Sequence, residues 1–138
     1  MSQIVNTNTP GKTRTQLSKF TVMAIRELMK QKQFSENTKD LVAFIVLSLK
    51  AISDTIDPSV EAWEKRGYWI KADRFRMEWN WTGATSDELK NALLADDWAL
   101  VAQLTGKVAE QLSNVKIPIR TKINTPWVGA WSIMNQKK

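Results

Sequence analysis

The stretch WEKRGYWIKADRFRMEWNW, Trp63 to Trp81, gathers four of the chain's seven tryptophans and five of its twenty Lys and Arg residues. Lys65, Arg66, Lys71, Arg74 and Arg76 are interleaved there with Trp63, Tyr68, Trp69, Phe75, Trp79 and Trp81. Cations that meet phosphates beside rings that stack on bases are the chemistry of single-stranded nucleic-acid binding, at about 1–3 kcal/mol per stacked base. The same rings are also what a small domain buries, since large exposed apolar patches are uncommon on isolated soluble domains. On a helical wheel Trp63, Gly67, Ile70, Arg74 and Met77 share one face. Trp63, Trp81 and Trp98 are expected in the core, with Ile70 and Met77 on the same buried seam. Lys65, Arg66 and Arg76 fall outside that seam, with Trp69 among them. Trp69 is the ring expected to be exposed, either in a subunit interface or against a base. Arg74 falls on the apolar face, where a charge needs a partner. It either pairs with a carboxylate or marks where that face opens into a partner groove.

Two further groups of cations carry the same chemistry. Lys12, Lys19, Arg26 and Lys30 fall on one side of a helical wheel, opposite Leu17, Phe20, Ala24, Ile25 and Leu28. Only Glu27 lies inside that helix to balance them, although many such stripes are simply solvated. Near the C-terminus, VKIPIRTKINTP alternates. If extended, it places Lys116, Arg120 and Lys122 on one side and Val115, Ile117 and Ile119 on the other.

Other chemistries are poorly provided for. The chain has no Cys and no His. That excludes thiol catalysis, disulfides, zinc fingers and Ser-His-Asp triads. Glu61 and Glu64 form an E-x-x-E pair one helical turn apart, the kind that holds magnesium in helical nucleotide hydrolases, but a second acidic pair is needed on a neighbouring helix. Asp54, Asp57, Asp87, Glu88, Asp96 and Asp97 mostly sit at expected helix starts, where an acid favours the positive end of the dipole. The lone TGK at Thr105–Lys107 lacks the rest of a phosphate-binding loop. No catalytic residue, metal ligand or cofactor is assigned.

The 138 residues suit one domain with a single core. A net charge of +6 and a pI near 9.7 favour a polyanionic partner. Residues 1–50 carry eight Lys and Arg against three acids, and residues 101–138 carry six against one. An acidic stretch lies between these basic ends. The longest apolar run, Leu41 to Leu49, is about half of the roughly 20 residues needed to span a bilayer. The N-terminus has no apolar signal-peptide core, so a cytoplasmic protein without membrane contact is expected.

The elements follow from periodicity and caps. Residues 1–13 read as a flexible N-terminal leader and 14–138 as a single helical domain. A first helix is expected from near Thr15 to about Gln33. A second, mostly buried helix follows the caps Ser35 and Asn37. A third starts with Asp57 as cap and Pro58 at its first position and runs to about Trp79. Gly67 is either a close-packing point in it or a break. TGATSDEL reads as a loop and a restart, with Thr85 and Glu88 as a capping box. Asp96-Asp97 caps a further segment from Trp98, and Thr125-Pro126 begins a short helix. The expected fold is an all-α single-domain bundle of four to five helices, with a basic extended segment near the C-terminus.

A small, basic, all-helical chain of this character resembles the small subunit of CRISPR Cascade-type effector complexes. KRGYWIKADRFRMEW, Lys65 to Trp79, is similar to the C-terminal region of the large subunit of cyanobacterial type I-D systems. That region is also made as a free small subunit by internal translation, and a chain starting at Met1 with a polar leader fits such a product. The resemblance implies a non-enzymatic architectural role. Several copies would stack along the complex and hold target or displaced DNA strands while base pairing reads the sequence. The implied partners are target DNA, guide RNA as a further candidate, other effector subunits and further copies of the chain. The competing expectation is a helical protein-interaction adaptor whose charge only aids solubility.

Overall fold

The computed structural model describes residues 9–117 and 125–136. It is all-α, with no strand among the described residues. Helix α1 spans Pro10–Met29. Thr9 caps it, its hydroxyl accepting from the Lys12 N–H at 3.2 Å, and Pro10 takes the first-turn place where its missing N–H costs nothing. The helix therefore begins inside the expected leader; residues 1–8 lie outside the described residues.

Helix α2, Glu36–Ser53, is the centre of the molecule and packs against α1, α5 and α7. Ser35 and Thr38 form a reciprocal capping box, with the Thr38 N–H on Ser35 Oγ and the Ser35 N–H on Thr38 Oγ1. Leu41, Ile45, Leu49 and Ile52 are fully buried. Three β-branched residues at 42, 45 and 46 do not make this a strand, because the caps and five turns of apolar surface outweigh their small propensity cost.

Helices α3 (Ile56–Lys65) and α4 (Trp69–Trp79) form a hairpin against the N-terminal half of α1. Gly67 breaks the expected third helix. Its φ is +80°, its N–H reaches Glu64 O at 2.9 Å, and the Tyr68 N–H reaches Trp63 O at 2.9 Å. This is a Schellman ending, which needs a left-handed residue where Gly67 stands. Asp57 and Pro58 fall in the first turn of α3, whose cap position is Thr55. The break resets the helical phase. Ala72 and Phe75 are the residues of α4 that turn inward, forming a small core with Ile56 and Val60. Ile70 and Met77, expected on the buried seam, are 71% and 78% exposed.

Helix α5, Trp81–Leu94, runs straight through TGATSDEL, where a loop was expected. Two of its hydroxyls bond backwards or across, and no side chain caps it. Thr82 Oγ1 donates to Trp79 O at 2.8 Å, and buried Ser86 donates to Val46 O of α2 at 2.9 Å. Gly83 is a close-approach point: a Cβ there would stand 2.8 Å from Ser53 Oγ. Asp96 (φ 55°) ends α5 in a second Schellman turn, and Asp97 caps helix α6, Trp98–Gln111, accepting from the Leu100 N–H at 3.1 Å.

The short helix α7, Ala130–Met134, begins after a turn at 126–129, so Thr125 and Pro126 precede it without capping it. Its cap comes from α2: the Asp40 carboxylate accepts from Gly129 N–H at 3.1 Å and Trp131 N–H at 3.0 Å. Trp127 is the buried indole. Trp63, Trp81 and Trp98, expected in the core, are half-buried at its margins. The four helices of 14 or more residues, α1, α2, α5 and α6, make the bundle. The α3–α4 hairpin and α7 add to its sides.

Candidate nucleic-acid interface

The break at Gly67 positions the first group of candidate residues. Beside it the α3–α4 junction forms an open groove of about 880 Å³, lined by Trp63, Tyr68, Trp69, Lys71, Arg74 and Phe75 among others. Trp69 is 61% exposed, as expected, and Tyr68 is exposed beside it. Lys71 Nζ lies 4.9 Å from the Trp63 ring centroid. Lys65 and Arg66, at the end of α3 next to Gly67, are exposed. Glu78 is the acid at the groove wall. Arg74 is exposed and lines this groove, because the face that carries it with Ile70 and Met77 points to solvent.

Arg76 is used differently. Its Nη1 donates to Asp57 Oδ1 at 3.2 Å and ties α4 to the start of α3. Both groups are exposed, so the pair contributes at most about 1 kcal/mol.

The α1 stripe forms as expected. Lys12, Lys19, Arg26 and Lys30 are all exposed, spread along about 27 Å of helix at 1.5 Å per residue. Lys30 Nζ also reaches Glu27 Oε2 at 3.1 Å. Lys19 meets the C-terminal basic group: with Lys116 it lines a cleft of about 280 Å³ between α1, Trp79 and Val115. Residues 97 apart in sequence thus share one cleft. Arg120 and Lys122 lie outside the described residues, as does most of the expected extended segment.

Arg14 was not among the expected site residues. Its Nη1 donates to Thr55 Oγ1 at 3.1 Å and Ser59 Oγ at 3.2 Å. The guanidinium carbon lies 4.4 Å from the Phe75 ring centroid and 5.5 Å from that of Trp79. Partial burial lowers the pKa of this guanidinium, and the nearby Glu78 carboxylate opposes the shift. The signal in the sequence was its place three residues before Leu17, on the buried side of α1 rather than with the other cations.

Glu61 and Glu64 gain no acidic partners. Among the described residues no group of three or more Asp or Glu is placed to hold a metal ion. A second concave surface is apolar: a groove of about 360 Å³ lies between α1 and α6, with Ile25, Leu28 and Val101 in its lining. At its edge Phe34 stacks on Trp98 with centroids 4.4 Å apart. No helix among the described residues is long and apolar enough to cross a membrane. The chain matches no protein-family model, no curated protein and no solved structure.

Proposed function

We propose that the chain is a non-enzymatic, nucleic-acid-binding structural subunit of a ribonucleoprotein, of the CRISPR Cascade small-subunit kind that Lys65 to Trp79 resembles. Several copies stack along a cytoplasmic complex and hold target or displaced DNA strands through Lys and Arg contacts to phosphate as the R-loop forms. The observation that supports nucleic-acid binding most is the α3–α4 groove. It combines exposed rings, Tyr68 and Trp69, with Lys71 and Arg74 in its wall and Lys65 and Arg66 nearby. Stacked bases and tracked phosphates require that pairing of groups. The α1 stripe is a second exposed cationic surface.

The test is anisotropy of a labelled single-stranded oligonucleotide with wild type, Trp69→Ala and Lys65→Ala/Arg66→Ala. Trp69→Ala is expected to weaken binding about tenfold, the loss of one stacked base. Undiminished binding by both variants would remove the groove from the interface.

The second reading, a protein-interaction adaptor, is favoured by the apolar groove between α1 and α6. It requires that the chain bind no oligonucleotide at low salt and that Leu28→Asp abolish capture of a protein partner.

A further inference from the structure

The cleft between α1 and the Val115–Lys116 segment has a property that general basicity does not require. Ser18 lines it and is 3% exposed, and its Oγ has no hydrogen-bond partner among the described residues. Hydroxyls on helices commonly donate back one turn, as Thr21 does to Leu17 O at 2.7 Å. Ser18 does not, and a buried hydroxyl left unsatisfied costs stability. Three cations line the cleft with it: Arg14 and Lys19 from α1, and Lys116 from beyond α6. No Asp or Glu lines the cleft. Glu78, the acid that acts on Arg14, lines the neighbouring groove instead. Both hydrogen bonds that Arg14 makes leave from Nη1, so they occupy only part of its five-donor fork. The cleft volume of about 280 Å³ is some nine times the ~30 Å³ that one water occupies.

We propose that this cleft is a discrete site for one phosphate group. The Lys19 and Lys116 ammonium groups neutralise its charge, Ser18 turns about χ1 so that its Oγ, enclosed in the free protein, donates to a phosphate oxygen, and Arg14 adds a fixed positive charge beside it. A phosphodiester as natural occupant rests on the nucleic-acid function proposed above. A free phosphate or phosphomonoester presents the same oxygens.

Amide NMR of the full chain tests this, with separate titrations of inorganic phosphate and a thymidine dinucleotide. Saturable shifts are expected at residues 14–19 and 115–116. Tighter binding of the dinucleotide assigns a phosphodiester, and tighter binding of phosphate assigns a monoester or free ion. Lys19→Ala/Lys116→Ala is expected to weaken binding about tenfold or more, and Ser18→Ala about threefold. Ser18→Ala should also raise the melting temperature, because it removes an unsatisfied hydroxyl. Lys90→Ala/Lys107→Ala removes equal charge from the exposed sides of α5 and α6, outside the basic surfaces described above, and is expected to change binding less than about twofold. Equal weakening by the two double variants, or shifts spread over all the cations, overturns the site. Oligonucleotide binding that ignores Lys19, Lys116 and Ser18 overturns the site while leaving the nucleic-acid function standing. Localised phosphate binding without any oligonucleotide binding does the reverse.

Discussion

Arg14 joins three helices through one guanidinium. It leaves α1, donates to the hydroxyls of Thr55 and Ser59, and lies against Phe75 and Trp79 of α4. Charged hydrogen bonds contribute about 1.5–3 kcal/mol and a partly desolvated cation–π contact about 0.5–2. These overlap, so Arg14→Met is expected to lower stability by about 2 kcal/mol in urea unfolding. Arg14→Lys should recover less than half, because an ammonium cannot fork to two hydroxyls while lying flat on a ring. A loss under about 0.5 kcal/mol for Arg14→Met would show that this junction holds without the guanidinium. The sequence places Arg14 on the buried side of α1. It does not name the partners, which lie 41 to 65 residues away and follow no local pattern. Trp69 was legible because its neighbours on the wheel were charged. Arg76 was equally exposed on the wheel, but only the fold brings Asp57 to it.

At the scale of elements, helix ends decided most of what differed from expectation. Gly67 and Asp96 occupy the same left-handed place in two Schellman turns. A residue with a Cβ is strained there by roughly 1 kcal/mol, and only Gly escapes that. Gly67→Ala is therefore expected to cost about 1 kcal/mol, and Asp96→Gly to gain about 0.5–1, both read by chemical denaturation. A Cβ at Gly67 would meet nothing within 4 Å, so the cost is one of backbone conformation alone.

The same break explains Ile70 and Met77. A wheel drawn through Gly67 carries the phase of α3 into α4 and points them inward; the turn rotates α4 so that Ala72 and Phe75 take that role. Ile70→Ser and Met77→Ser are expected to stay within about 0.5 kcal/mol of wild type. A loss of 2 kcal/mol or more would mean that both are buried on folding. TGATSDEL misled for a related reason. Its Ser, Thr and Gly residues favour loops locally, but Ser86 and Gly83 serve the contact with α2, which no local window contains. The caps at Ser35 and Asp97 and the central helix were legible, since they depend only on adjacent residues.

At the scale of the molecule, an all-α bundle followed from the 3.6-residue periodicity and the caps. How the charge is arranged in space did not follow. The two basic ends of the sequence meet at the cleft shared by Lys19 and Lys116, and the aromatic groove opens on the α3–α4 hairpin that packs against the same half of α1. The proposed function requires these cations to act together on a polyanion. The affinity of the intact chain for a single-stranded oligonucleotide between about 50 and 200 mM salt measures whether they do. Each phosphate contact contributes about 0.7 to the slope of log K against log salt, so four to six contacts give a slope of about −3 to −4. A slope in that range, made shallower by Lys19→Ala/Lys116→Ala, is the expected result. No binding at low salt, or binding indifferent to salt, would contradict it.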